Sequence, residues 1–242
     1  MPIVSTLNLI SFLLCLAASA RLGRSYRETG DRSVRLFFFS FLTLGIFFLI
    51  IAAPGLLSRN GILLGYLNAI SVSVAALSAL FFAIIPLMLL HKEHLKRITI
   101  ILLALAMLLS FGLRLVSLDP LVEEVREPFS YWVRVPSLWT TLSFAIGGIA
   151  LTVSMFSAGF FFVLYGIRNR KNSSVFIRAL TIGVGVTLFA VTALVNYLIG
   201  AVPSPVFLLI ASAMADLSIL FIAFGVFYKA KEGGLENTSL LP

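Results

Sequence analysis

Apolar residues along this chain neither alternate nor recur on a single helical face; they run in blocks. Seven blocks, at 3–20, 35–57, 62–90, 98–118, 138–167, 178–200 and 206–228, are rich in Leu, Ile, Val, Phe and Ala and are separated by Gly, Pro or charge. A segment that is apolar all round belongs in a bilayer, whose ~30 Å hydrocarbon core is crossed by ~20 helical residues. Backbone amides in hydrocarbon are satisfied only within helices or closed barrels, and these blocks exceed the ~9–11 residues of a barrel strand. The pattern predicts an all-α polytopic membrane protein, a bundle of seven transmembrane helices over residues 1–228.

The connections differ in charge from one side to the other. Segments 21–35, 91–97 and 168–177, with Arg178 and the tail 229–242, hold 14 of the 18 Lys and Arg; Arg59, Arg114, Arg126 and Arg134 belong to the other side. The positive-inside rule then places the N-terminus outside and the C-terminal tail in the cytoplasm, as for a multi-pass protein of a plasma membrane. Short connections at 58–61 and 201–205 predict antiparallel pairs of helices two and three, and six and seven. The outer loop 119–137 carries Asp119, Glu123, Glu124 and Glu127, then Phe129, Tyr131 and Trp132, with Pro120, Pro128 and Pro136 as breaks. A short surface helix starting at Asp119-Pro120 is expected there, with the aromatics at headgroup depth.

Composition agrees and removes other classes. Hydrophobic residues make up 60% and charged residues 12%, against ~25% charged in soluble domains, so a soluble fold is excluded. A net charge of +8 would suggest nucleic acid in a soluble chain; here the basic residues flank apolar blocks and read as contacts to anionic lipids at the inner face, not to nucleic acid. The lone Cys15 forms no intrachain disulfide. Ala18-Ser19-Ala20 resembles a signal-peptidase site, yet no basic segment precedes it and Arg21, Arg24 and Arg27 follow, so a retained first helix is expected.

Asp216 is the one acidic residue inside a block, ~15 Å from the outer end of helix seven at ~1.5 Å per residue. A carboxyl at that depth must face the bundle, either as a proton or cation site or as an interhelical hydrogen bond. Arg114 lies ~6 Å below the outer boundary of helix four. Asn68, Asn196, Tyr66 and Tyr197 stand at similar depth, so the five are candidates for an outer cavity taking a polar or anionic ligand; snorkelling and helix packing explain them equally well. His91 and His94 share a helix face among Lys92, Lys96 and Arg97, which favours a solvated helix end over a metal site. Small residues at helical spacing, Ala75-xxx-Ala79-xxx-Ala83, Ser143-xxx-Gly147, Ser154-xxx-Ala158 and Ala211-xxx-Ala215, read as packing seams within or between chains. The Phe-Phe-Phe runs at 37–39 and 160–162 read as lipid-facing bulk. No protease, phosphate-loop or haem-ligand pattern is present, so no catalytic residue, cofactor or metal is expected.

Seven spans with an outside N-terminus resemble the architecture of microbial rhodopsins and of the seven-helix sensor regions fused to some bacterial histidine kinases. The resemblance is one of topology. A retinal protein needs a Lys within helix seven, and 206–228 contains none. The reading favoured by the sequence is therefore a non-enzymatic sensor-like protein or accessory subunit, acting through a protein partner or as a homo-oligomer, with its ligand unspecified. A small proton- or cation-linked transporter using Asp216, and a structural subunit of a larger membrane complex, are the alternatives.

Overall fold

A computed structural model describes residues 3–116, 118–126, 129–134, 137–199 and 205–228. Seven helices among them are long and apolar enough to cross a membrane. These are α1 (Ile3–Thr29), α2 (Arg32–Leu56), α3 (Gly61–Leu89), α4 (Glu93–Val116), α5 (Leu138–Arg168), α6 (Ser173–Ile199) and α7 (Pro205–Phe227). The tail 229–242 lies outside the described residues.

The helices overrun the apolar blocks at the basic end, because charge alone does not stop a helix whose long side chains can reach water. The expected loop 21–35 is therefore mostly helix. Arg21, Arg24 and Arg27 ride on α1, with the Arg21 guanidinium 4.2 Å from the centre of the Phe227 ring. What ends α1 is Gly30, whose φ of 66° lets its N–H bond the Tyr26 carbonyl at 2.8 Å; Asp31 then caps α2 by accepting the Ser33 N–H at 2.6 Å. Between α3 and α4 the same reversal is made by His91 at φ 55°, with the His91 N–H on the Met88 carbonyl and the Lys92 N–H on the Leu87 carbonyl. His91 thus terminates α3 while His94 begins α4, so the two do not share a helix face as the spacing suggested.

Six helices, in the order α1, α2, α3, α5, α6, α7, touch their neighbours and close into a ring, since α7 packs back on α1 and α3 reaches α5 directly. Helix α4 is left outside, in the groove between α3 and α5. The buried core accordingly draws on every helix except α4. Phenylalanine fills it: Phe41, Phe82 and Phe162 are fully buried, Phe37 lies 6.4 Å from Phe82 and 6.2 Å from Phe162, and Phe48 meets Phe189 edge-on at 6.4 Å. Consecutive residues turn ~100° about a helix axis, so each Phe triplet divides. Phe37 and Phe162 point inward while Phe39 and Phe160 are exposed, which corrects the reading of these runs as lipid-facing bulk.

Of the small-residue seams, Ala79, Ala83, Ala158, Ala211 and Ala215 are buried in the bundle, and glycines outside them make the closest helix contacts. A Cβ on Gly159 would lie 3.0 Å from the Gly183 carbonyl oxygen, and one on Gly183 2.9 Å from that of Gly159, so α5 and α6 meet backbone to backbone. Gly185 and Gly225 do the same between α6 and α7, and Gly147 brings α5 against Ser110 of α4.

The outer segment is not the expected surface helix. Leu121–Arg126 (β1) and Phe129–Arg134 (β2) form an antiparallel hairpin in the register Leu121 to Arg134 and Glu123 to Trp132. Its strands carry Val122, Val125, Tyr131, Trp132 and Val133, residue types that favour a pleated pair, and Pro120 stands just before the first of them. The hairpin leans on the bundle, β1 against α3 and β2 against α1. Glycines make this possible: a Cβ on Gly61 would lie 2.6 Å from the Leu121 carbonyl oxygen, and one on Gly65 3.0 Å from that of Asp119.

Replacing Gly183 by Leu is expected to force α5 and α6 apart and to destabilise the purified protein by ~1–3 kcal/mol. The same change at Gly112, where a Cβ would meet open space, is expected to leave the melting temperature unchanged or slightly raised. Thermal unfolding of both variants in detergent checks the pair.

Candidate functional site

Two polar loci lie within the helical bundle, on different helices. The first forms where α4 passes α3 and α5 beneath the hairpin. Ser110 and Arg114 are one turn apart on α4 and face inward, and both are buried, Arg114 to within 3% of full enclosure. The serine hydroxyls of α4 and α5 bond each other's backbone: Ser143 Oγ donates to the Ser110 carbonyl at 2.6 Å and Ser110 Oγ to the Ser143 carbonyl at 2.9 Å. Arg114 adds Nε to Ser143 Oγ at 3.2 Å and Nη1 to Asn68 Oδ1 at 2.6 Å, and its guanidinium lies 3.7 Å over the Phe144 ring. A charged side chain at mid-bilayer costs ~2.5–3.5 kcal/mol on insertion scales. Hydrogen bonds to a charged group recover ~1.5–3 kcal/mol each and a desolvated cation–π contact ~2 kcal/mol, so the cluster is a stable way to hold the charge.

The cluster continues into the hairpin. Asp119 Oδ2 accepts the Ser137 N–H at 2.9 Å, tying the chain two residues before β1 to the N-cap of α5. Gly65, Asn68, Arg114, Asp119 and Thr140 border a cavity of about 10 Å³, the room of roughly one water. Chemically this is a small polar pocket with one cation and one carboxylate on its walls, too small for a solute.

Arg114 therefore does not snorkel to the boundary. Of the five residues expected to line an outer cavity, Asn68 and Arg114 are joined directly, whereas Tyr66 is 45% exposed and turned away from them. Asn196 and Tyr197 fall in α6, with side chains outside the described ones. Sequence reading missed Ser110, Phe144, Asp119 and Thr140 as members of the cluster. The available signal was the Ser143-xxx-Gly147 seam: Gly147 brings α4 close enough for the serine exchange.

The second locus is Asp216 on α7. It is half-buried and faces α1 rather than lipid, accepting a hydrogen bond from Ser11 Oγ at 2.5 Å. Ser11 and Cys15, one turn apart on α1, are both fully buried. No cation pairs with Asp216 among the described residues. Its bond joins the first helix to the last and so helps close the ring. The Arg114 cluster belongs to α3, α4 and α5, so the two loci do not form an ion pair.

No metal-holding group of His, Cys, Asp and Glu occurs among the described residues. Comparisons with protein-family models, with curated proteins and with solved structures give no match.

Replacing Asn68 by Leu removes an acceptor from the buried guanidinium and is expected to cost ~1.5–3 kcal/mol of stability. Asn68→Asp keeps an acceptor at the same place and should cost less. Unfolding in detergent, run on both variants, distinguishes a specific role for the acceptor from a general intolerance of change.

Proposed function

We propose that this chain is a non-enzymatic integral membrane protein of sensor-like or accessory-subunit type, acting through a protein partner at its basic end. The observation that carries the reading is that Asp119, at the foot of the hairpin, and the Arg114 cluster border one small polar pocket. Asp119 holds the foot of the hairpin to α5, and the adjacent Arg114 cluster ties α3, α4 and α5 together. Those helices run on to the opposite end, where Lys92, Lys96, Arg97, Arg168, Arg170 and Lys171 gather on their termini. A push or pull on the hairpin would thus reach a surface built for an acidic partner or an anionic membrane face. Under the positive-inside rule that surface is cytoplasmic and the hairpin outside. The Phe-packed ring interior supports coupling over conduction, since a solute path along the axis would have to displace fully buried aromatic side chains.

Asp216 supports transport as the second reading, because a half-buried carboxyl within a span is the type of group that carries protons. Purification in mild detergent separates the two. A stoichiometric co-purifying protein, lost in the Arg168→Gln, Arg170→Gln, Lys171→Gln triple variant, is the expected result. A lone protein whose proton or cation flux in liposomes disappears in Asp216→Asn would replace the proposal with transport.

Orientation has its own check. Cys15 is fully buried, so single cysteines placed at the exposed positions Lys171 and Glu123 can be read over a low background. In intact cells an impermeant maleimide is expected to label Glu123→Cys and to spare Lys171→Cys until the membrane is opened.

A further inference from the structure

The basic end of the ring holds a cavity that neither polar locus uses. It has a volume of about 50 Å³ and lies where the ends of α2, α3, α5, α6 and α7 converge. Its walls are mainly apolar, with Phe37, Phe162 and Ile182 among them. A cavity needs ~10–15 Å³ to admit one water, so this one has room for several water-sized groups, yet apolar walls favour hydrocarbon over water.

Three polar groups border the same space: Ser33, Tyr165 and Arg178. Ser33 is 95% buried and its hydroxyl has no hydrogen-bond partner. Burying an unpaired hydroxyl costs ~1–3 kcal/mol, which a bound acceptor would recover. Arg178 is half-buried; its Nε donates to the Tyr228 carbonyl at 2.6 Å, which fixes the guanidinium at the cavity wall. Among the described residues no carboxylate pairs with it. The nearby Asp31 is already engaged, accepting the backbone N–H groups of Ser33 and Val34.

A cation and a donor hydroxyl at the rim of a small dry cavity, at the end of a bundle that meets the bilayer surface, match one ligand chemistry. We propose that this pocket binds an anionic amphiphile, whose oxyanion head is held by Arg178, Ser33 and Tyr165 and whose first few methylene groups enter between Phe37, Phe162 and Ile182. The head is a carboxylate or a phosphate, and the ligand reaches the site from the leaflet at the basic end. Occupation would wedge five helix ends apart or lock them together, giving the basic surface a lipid-dependent shape. The site stands whether or not the partner reading above is correct.

The test uses the intact protein in a neutral maltoside detergent, with binding followed by native mass spectrometry and by thermal unfolding. The probes are dodecanoate, a short-chain phosphatidate, dodecanol and dodecyltrimethylammonium. One equivalent of an anionic probe is expected to bind at least ~10-fold more tightly than dodecanol, as a charge-assisted head contact requires. Preference for dodecanoate would identify a free carboxylate as the ligand, and preference for phosphatidate a lipid phosphate. Arg178→Gln and Ser33→Val should each weaken the anionic probe, Arg178→Lys should retain most of its binding, and Val226→Phe, which fills the cavity, should abolish it. Arg24→Gln, an exposed charge at the same end, should change nothing. Equal binding of dodecanol and dodecanoate, an unchanged affinity in Val226→Phe, or an equal loss in Arg24→Gln would overturn the proposal. Should Arg178→Gln fail to fold, Ser33→Val and Val226→Phe decide it.

Discussion

Hydrocarbon offers no hydrogen bonds, and nearly every feature of this protein answers to that. It forces the backbone into helices, and it drives polar side chains inside the bundle to bond within the protein, many to a carbonyl one turn back on their own helix and a few across to another helix. The pairings that result tie the bundle together: Ser11 of α1 with Asp216 of α7 closes the ring, Ser78 of α3 bonds the Ser40 carbonyl of α2 at 3.1 Å, and Ser110 and Ser143 stitch α4 to α5. Between these points glycines remove side chains so that the backbones approach, and phenylalanines fill what the close approach leaves.

Helix α4 is the least embedded of the seven. Excluded from the ring core, it has no share in the Phe cluster and is held by its polar contacts and by the grooves of α3 and α5. Arg114 is therefore both the most expensive group in that helix and its principal anchor. Because Arg114 sits next to the foot of the hairpin, the hairpin segment and the least embedded helix share one polar pocket. A segment with few core contacts, secured by a small number of directional bonds, is the kind of element that can take up two positions.

The two ends of the molecule are built differently. At the hairpin end Asn68, Arg114, Asp119 and Thr140 border a space with room for about one water. At the basic end a larger apolar cavity is bordered by a buried hydroxyl without a partner and by an arginine that pairs with no carboxylate among the described residues. The first space is bordered by polar side chains and the second mainly by apolar ones, and that contrast in walls is what separates the two ends.

The sequence by itself determined the number of spans, their approximate positions and the segregation of basic residues, because block length and flanking charge are local properties that bilayer physics reads directly. It also marked Asp216, Arg114 and Asn68, since a polar side chain in an apolar block stands out without any knowledge of its neighbours. Only the tertiary structure decided which helices touch, and hence that Asp216 belongs to Ser11 and Arg114 to Asn68 and Ser143. Uniformly apolar helices carry little facial pattern, so Phe37 and Phe39 could not be assigned inward and outward from order alone. Local signals misled in two places. Acidic residues after Asp119-Pro120 suggested a helix start, but those same residues lie in a strand, Glu123 opposite Trp132 and Glu124 opposite Tyr131, in a segment rich in Val and aromatic residues. His91 at i and His94 at i+3 suggested a shared face, but the left-handed turn at His91 ends one helix before the next begins. The first was decided by pairing between two strands, the second by a backbone reversal that residue spacing alone does not reveal.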